Sequence, residues 1–174
     1  MSTEKSLSYL NQSQDELEPL LTDLRRLVIE ARDRALRAVD VVQVQTYWQV
    51  GRHLVEFEQG GSQRAEYGKR LLSLVADRLT AEFGKGFDVS NLRNMRLFYK
   101  SFPKCDALRH ELSWTHYRIL ARVQSNEARV WYMSEAAEQN WSSRVLERQI
   151  GTLFYERLLL ERTPSATRHA AAGA

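Results

Sequence analysis

Apolar residues recur every three or four positions along most of this chain, which is the spacing of one face of an α-helix. The clearest case is the segment 92–102, where Leu92, Met95, Tyr99 and Phe102 fall on one side. Only three prolines and eight glycines interrupt the 174 residues, so long helices are expected and a many-stranded sheet is not. The pattern predicts an all-α bundle of six or seven helices over residues 15–160. Residues 1–14 are expected to be flexible, and the small-residue tail 161–174 to be disordered.

A short turn precedes the helix at 92–102. It contains Gly84 and Gly86 and ends at Asp88, whose carboxylate can accept the free N–H groups of a first helical turn. The segment before the turn, about residues 67–83, is predicted to be a helix with a buried stripe that ends at Phe83. Two helices joined by a short glycine-containing turn are typical of a helix-turn-helix.

The same arrangement recurs near the C-terminus. Phe87-Asp88 followed by Leu92 matches Trp141-Ser142 followed by Leu146, 54 residues later. In each case an aromatic residue precedes the cap and can pack against the helix entry. The sequence therefore predicts two successive helix-turn-helix-like units. Further predicted caps are Ser113 for a helix at 114–123 and Ser125 for one at 127–139, and the last helix is predicted to run from Ser142 to about residue 159 with Arg144, Glu147, Arg148 and Glu156 exposed.

The N-terminal third carries a heptad pattern, because apolar residues alternate by four and three positions. Two explanations stay open: an amphipathic helix packed within its own domain, or the seam of a homodimer. Asp40 is predicted to cap a second helix, and Gly51 inside that helix predicts a close helix crossing, since glycine costs about 1 kcal/mol there. The candidate seam comprises Leu17, Leu21, Leu24, Val28 and Ala31, and continues at Ala35 and Ala38.

Positive charge is concentrated around the first helix-turn-helix-like unit. The formal net charge of the chain is only +3, but residues 64–104 contain nine Lys or Arg against four Asp or Glu. A local basic patch of this kind is expected for phosphate contact. We therefore predict a double-stranded DNA interface in which Ser90, Arg93 and Asn94 face base edges while Lys85, Arg96, Lys100 and Lys104 contact phosphates.

The alternative interpretation is an ordinary pair of helices with a solvated face. Leu97 also points outward, which would suit a protein partner better than DNA. No catalytic pattern is evident, and neither a metal nor a cofactor is expected, since the spacing of Cys105, His110 and His116 matches no zinc site. No signal peptide or membrane span is predicted, and the single cysteine fits a reducing cytoplasm.

Five segments carry a resemblance to a known family: YWQVGRHLVE at 47–56, YGKRLL at 67–72, FGKGFDVSNLRNMRLFY at 83–99, LSWTHY at 112–117 and AEQNWSSRVLERQI at 137–150. Together they resemble the N-terminal domain of the bacterial YhcG family, a domain of unknown function. The resemblance implies that a PDDEXK-type nuclease domain follows in full-length members and that this domain binds DNA. Because the chain ends at Ala174, we expect it not to be an enzyme by itself. The two hypotheses are a DNA-binding module that targets a nuclease, and an assembly module that dimerises or recruits a protein without binding nucleic acid.

Overall fold

A computed structural model describes the backbone of residues 2–59 and 62–162 and the side chains of residues 17–59 and 70–161. This part of the chain contains helices and turns and no strand, so the all-α prediction is confirmed. The seven α-helices are α1 (Ser2–Gln59), α2 (Ser62–Phe83), α3 (Val89–Ser101), α4 (Trp114–Leu120), α5 (Asn126–Glu138), α6 (Ser143–Gly151) and α7 (Phe154–Arg162), with a short 3-10 turn at Cys105–Ala107.

The chain divides into two compact units, residues 1–39 and residues 40–174. In the first unit, residues 17–39 belong to α1, and none of their side chains is buried. In the second unit, apolar side chains from the remaining helices share one core. The hydrophobic core of the described chain therefore lies within the second unit.

Helix α3 lies at the centre of that core. Leu92, Met95 and Phe98 on its inner face are completely buried. The Phe98 ring packs on Trp114 and Tyr117 of α4, with centroids 5.5 and 4.9 Å away. The predicted inner face is thus confirmed, and Phe98 is added to it. Other fully buried residues come from the following helices: Leu120, Tyr132, Ala136 and Leu146.

Helix α1 crosses α3 at Gly51. A Cβ atom at this position would overlap the carbonyl oxygen of Met95 and lie 2.7 Å from its carbonyl carbon. Only glycine permits so close an approach, so the predicted tight crossing is confirmed. Nearby, Trp48 Nε1 donates to the Phe102 carbonyl at 2.6 Å, which ties α1 to the end of α3.

Serine and aspartate cap three of the helices as predicted. Asp88, Ser125 and Ser142 accept from the backbone N–H groups of Asn91, Ala128 and Val145. Ser113 precedes α4, and its N–H donates to His116 Nδ1 at 3.2 Å. Since Leu92 and Leu146 are both fully buried four residues after their caps, the predicted repeat also exists in the structure.

Several predicted boundaries are wrong. Asp40 does not start a helix, because α1 runs through it without a glycine or proline to interrupt the turn. The single last helix is two, since it ends at Gly151 and Leu153 adopts a φ of 51° before α7 begins. Phe83 is 62% exposed instead of buried, because it is the last residue of α2, where its ring packs on Phe87 of the turn.

Other predicted helix ends differ from the structure by one to five residues. Helix α2 begins at residue 62 instead of 67, α4 ends at residue 120 instead of 123, and α5 runs over 126–138. Residues 2–14, predicted to be flexible, lie within α1. Residues 161 and 162 of the predicted tail lie within α7, and residues 60, 61 and 163–174 lie outside the described residues.

Candidate nucleic-acid interface

The outer face of α3 carries the polar residues that were predicted to meet DNA. Ser90, Arg93 and Lys100 are exposed, and Asn94 is half-buried. Leu97 lies among them and is 38% exposed. Lys85 and Lys104 are exposed in the segments before and after the helix. Six of the seven residues predicted to contact DNA are therefore at least partly exposed along α3 and its flanks. The seventh, Arg96, also lies on α3, but its side chain is engaged within the protein.

Arg96 forms an ion pair within the protein. Its Nη1 lies 3.1 Å from Glu58 Oε1 near the end of α1, and both side chains are mostly buried. The guanidinium is therefore already neutralised by a carboxylate. A phosphate would have to compete with Glu58 for it.

The turn before α3 is held in place by an amide. Gly84 and Gly86 have φ values of 80° and 113°, a region that glycine adopts without strain. Asn91 donates from its side chain to the Gly86 carbonyl at 2.5 Å and accepts from Trp114 Nε1 at 3.0 Å. These two bonds fix the turn, α3 and α4 together, so Lys85 projects from a defined loop.

The C-terminal end of α3 is held by an arginine of α5. Arg129 donates to the carbonyls of Ser101 at 3.1 Å and Val123 at 2.6 Å, and its guanidinium lies 5.8 Å from the Phe102 ring centroid. Burial lowers the pKa of Arg129. No described carboxylate lies within 4 Å of it, so carbonyl oxygens and an aromatic face stabilise this cation.

A tyrosine supports the same core from α4. Tyr117 OH accepts from the Arg109 N–H at 2.6 Å and donates to the Arg109 carbonyl at 3.0 Å. Burial raises the pKa of Tyr117 well above its usual value. The phenol therefore stays protonated and holds the α3–α4 connection against the core.

A polar cleft of about 320 Å³ opens at the N-terminal half of α3. It brings Ser90 and Asn94 together with Arg118 of α4, whereas Arg93 does not line it. Arg118 was not predicted as part of this site, because helical spacing within α3 does not indicate which residue of α4 lies beside it. The remaining lining residues are Tyr47, Gly86, Asp88, Asn91 and Trp114.

The local charge around α3 is unbalanced. In the described chain no carboxylate lies within 4 Å of Lys85, Arg93, Lys100 or Lys104. Asp88 lines the cleft, but its carboxylate accepts the Asn91 N–H at 3.0 Å as the cap of α3. The result is a group of cations on and beside one helix whose opposite face is anchored in the core.

The second helix-turn-helix-like pair, α5 and α6, differs in charge from the first, α2 and α3. Arg144 and Arg148 are exposed on α6 with Glu147 between them. Glu156, which was predicted to be exposed on the same helix, lies on α7 instead, is half-buried and accepts from Tyr132 OH at 3.3 Å. The predicted position of Glu156 is wrong, because α6 ends at Gly151 and α7 begins only after Leu153. The outer face of α6 thus mixes acids and bases.

The candidate seam on α1 is uncovered in the described structure. Leu17, Leu24, Val28 and Ala31 are exposed, and Leu21 is half-buried. Neither a metal-binding group of His, Cys, Asp or Glu side chains nor a helix long and apolar enough to cross a membrane occurs in the described residues.

Comparison with known proteins gives one family and one curated relative. The DUF1016 N-terminal domain family matches residues 23–157. The chain is also 36% identical over 173 residues to a protein named "Putative nuclease YhcG" from Escherichia coli (strain K12). This alignment covers 80% of the chain but only 46% of that protein, so the chain spans less than half of its relative's length. No solved structure matches.

Proposed function

We propose that this chain, which belongs to the DUF1016 N-terminal domain family, is a non-catalytic module that binds double-stranded DNA through α3 and the segments that flank it. The observation that carries this proposal is the asymmetry of α3. Its inner face is anchored by three fully buried residues, and its outer face presents cations that have no described carboxylate within 4 Å.

The chemistry of the outer face suits a duplex. In a helix-turn-helix the N-terminal residues of the second helix contact base edges in the major groove. Ser90, Arg93 and Asn94 occupy this part of α3. The arginine donors match the acceptors of guanine, and the asparagine amide, with one donor and one acceptor, matches adenine. Arg118 beside the cleft adds a fourth polar side chain from a second helix.

Phosphate contacts would come from the flanks of the same helix. Lys85 lies in the turn before α3, Lys100 in its last turn and Lys104 just after it. Arg96 contributes less than the sequence suggests, because Glu58 already pairs with it at 3.1 Å. Three or four phosphates are therefore neutralised in this proposal.

The relative's name supplies a role for such a module. The protein named as a nuclease is more than twice as long as the matched segment, so we propose that this domain brings a nuclease activity to DNA and does not itself cleave it. A PDDEXK-type domain in the longer proteins would provide the cleavage.

An assembly module remains the second candidate. The observations that favour it are Leu97, 38% exposed on the outer face of α3, and the uncovered apolar stripe of α1. An assembly module would bind a protein partner and leave the affinity for DNA negligible at any salt concentration.

A fluorescence-anisotropy titration with a random duplex separates the two. Each neutralised phosphate contributes about −0.9 to the slope of log K against log salt, so three or four contacts should lower the affinity roughly 40- to 150-fold between 50 and 200 mM salt. Absence of binding at 50 mM salt with tens of micromolar protein would refute the proposal and favour the assembly module.

A further inference from the structure

Residues 17–39 of α1 expose a continuous apolar stripe. Leu24, Leu27 and Val28 are 48%, 56% and 50% exposed. Most of the stability of a protein helix comes from packing of its amphipathic face, and contiguous exposed apolar surface usually marks an interaction site. We therefore expect this stripe to bind another apolar surface, and three features indicate which one.

The first feature is a gradient in side-chain size. In heptad terms, Leu17, Leu21 and Leu24 occupy the core positions of the N-terminal half, and Ala31 and Ala35 occupy those of the C-terminal half. Helices that pack in parallel would place leucine against leucine at one end and alanine against alanine at the other. Because the distance between helix axes depends on the side chains at the contact, such a pair would have to diverge along its length.

Antiparallel packing removes this mismatch. When Leu24 of one helix lies beside Val28 of the other, Leu21 meets Ala31 and Leu17 meets Ala35. Every layer then combines a larger and a smaller side chain, and the spacing stays even over about 27 Å of helix, at 1.5 Å per residue.

The flanking charges are the second feature. Glu18 and Arg32 occupy equivalent flanking positions, and in the antiparallel register Glu18 of each helix lies opposite Arg32 of the other. Arg25 meets its own symmetry mate near the axis, but it already lies 3.9 Å from Glu18 of its own chain. In a parallel register Arg25 and Arg32 would instead face Leu20 and Leu27, without an opposite charge.

The third feature is self-complementarity, since the stripe fits a copy of itself turned end for end. We propose that residues 17–38 form an antiparallel, two-fold symmetric interface with a second copy of this chain, with its axis between Leu24 and Val28. The interface is independent of the proposed DNA contacts on α3. It requires only that the two α1 helices pair.

Light scattering on the whole chain tests whether a second copy of the chain binds the stripe. The chain has a mass of 20.2 kDa, so a dimer of about twice that mass is expected. Leu24→Glu should give a folded monomer, because it places a charge in the middle of the seam without disturbing a buried residue. Leu36→Glu is the matched control, since Leu36 is 66% exposed but lies off the stripe, and it should remain dimeric. A wild-type monomer at millimolar concentration would overturn the proposal and assign the stripe to a different protein.

Disulfide trapping tests the orientation in a Cys105→Ser background. Cysteines at positions 21 and 31 of one helix are about 15 Å apart and cannot bridge each other, but in the antiparallel pair each faces the other across the interface. The double variant Leu21→Cys/Ala31→Cys should therefore form a covalent dimer on oxidation, and Ala31→Cys alone should not. Efficient cross-linking of Ala31→Cys alone would indicate a parallel pair and overturn the proposed register.

Discussion

Replacing Gly51 with alanine should destabilise the second unit, although alanine favours helices. The substitution adds one methyl group where α1 crosses α3, and the atoms it meets are the carbonyl oxygen and carbon of Met95. These are backbone atoms, so no rotamer change can move them away. The two helices would have to separate, and α3 carries the side chains that we propose for DNA contact.

The magnitude follows from two opposing effects. Alanine is about 1 kcal/mol better than glycine inside a helix. Adding a methyl group to a well-packed contact costs about 1–3 kcal/mol, and the upper part of this range applies because the 2.7 Å contact is with backbone. The net loss is about 2 kcal/mol, which corresponds to a melting temperature roughly 4–8 °C lower for a protein of this size.

Thermal unfolding followed by circular dichroism measures this loss, and Gly151→Ala is its matched control. A Cβ at Gly151 meets no described atom within 4 Å, so only the favourable helix propensity remains there. The control should melt at the wild-type temperature or slightly above it. If Gly51→Ala were as stable as Gly151→Ala, the close crossing of α1 and α3 would be refuted.

Three further predictions concern side chains that hold α3. Asp88→Ala should cost about 1 kcal/mol by urea unfolding, because the first turn loses its cap, whereas Asp88→Asn should retain most of the stability. Arg129→Lys should lower the melting temperature measurably, since one ammonium group cannot reproduce the two carbonyl contacts. Equal stability would show that these two guanidinium hydrogen bonds do not stabilise the fold. Tyr117 should contribute more to the free energy of unfolding below pH 10 than above it. Its pKa is raised by burial in the folded state, so its stabilising contribution is complete below the unfolded pKa of about 10 and is lost as the pH rises above it. The difference in unfolding free energy between wild type and Tyr117→Phe should therefore shrink above pH 10, and a constant difference would contradict the burial of the phenol.

Local patterns in the sequence predicted much of the fold. The cap at Asp88, the inner face of α3 and the repeat at Ser142 each depend on residues within a few positions of one another, and periodicity reveals such features directly. Gly51 was predictable for a different reason: a glycine inside a strong helix pattern has a cost that only a packing contact offsets.

The remaining features depend on contacts between distant segments. Arg96 pairs with Glu58 and Arg129 reaches Ser101, and neither partner can be recognised from helical spacing. The continuity of α1 through Asp40 was missed because an aspartate that suits a cap can also occur inside a long helix. Leu153 was missed as a break because a leucine with positive φ is rare.

Paired charge reversals test the central claim, that the outer face of α3 binds duplex DNA, most directly. Arg93→Glu/Lys100→Glu should abolish binding at 50 mM salt while helix content and melting temperature stay close to wild type, because exposed substitutions usually cost within about 0.5 kcal/mol. Arg144→Glu/Arg148→Glu on α6 should leave binding largely intact, since Glu147 already offsets the charge there. Loss of binding in the α6 variant alone would contradict the account and assign DNA contact to the second helix-turn-helix-like unit.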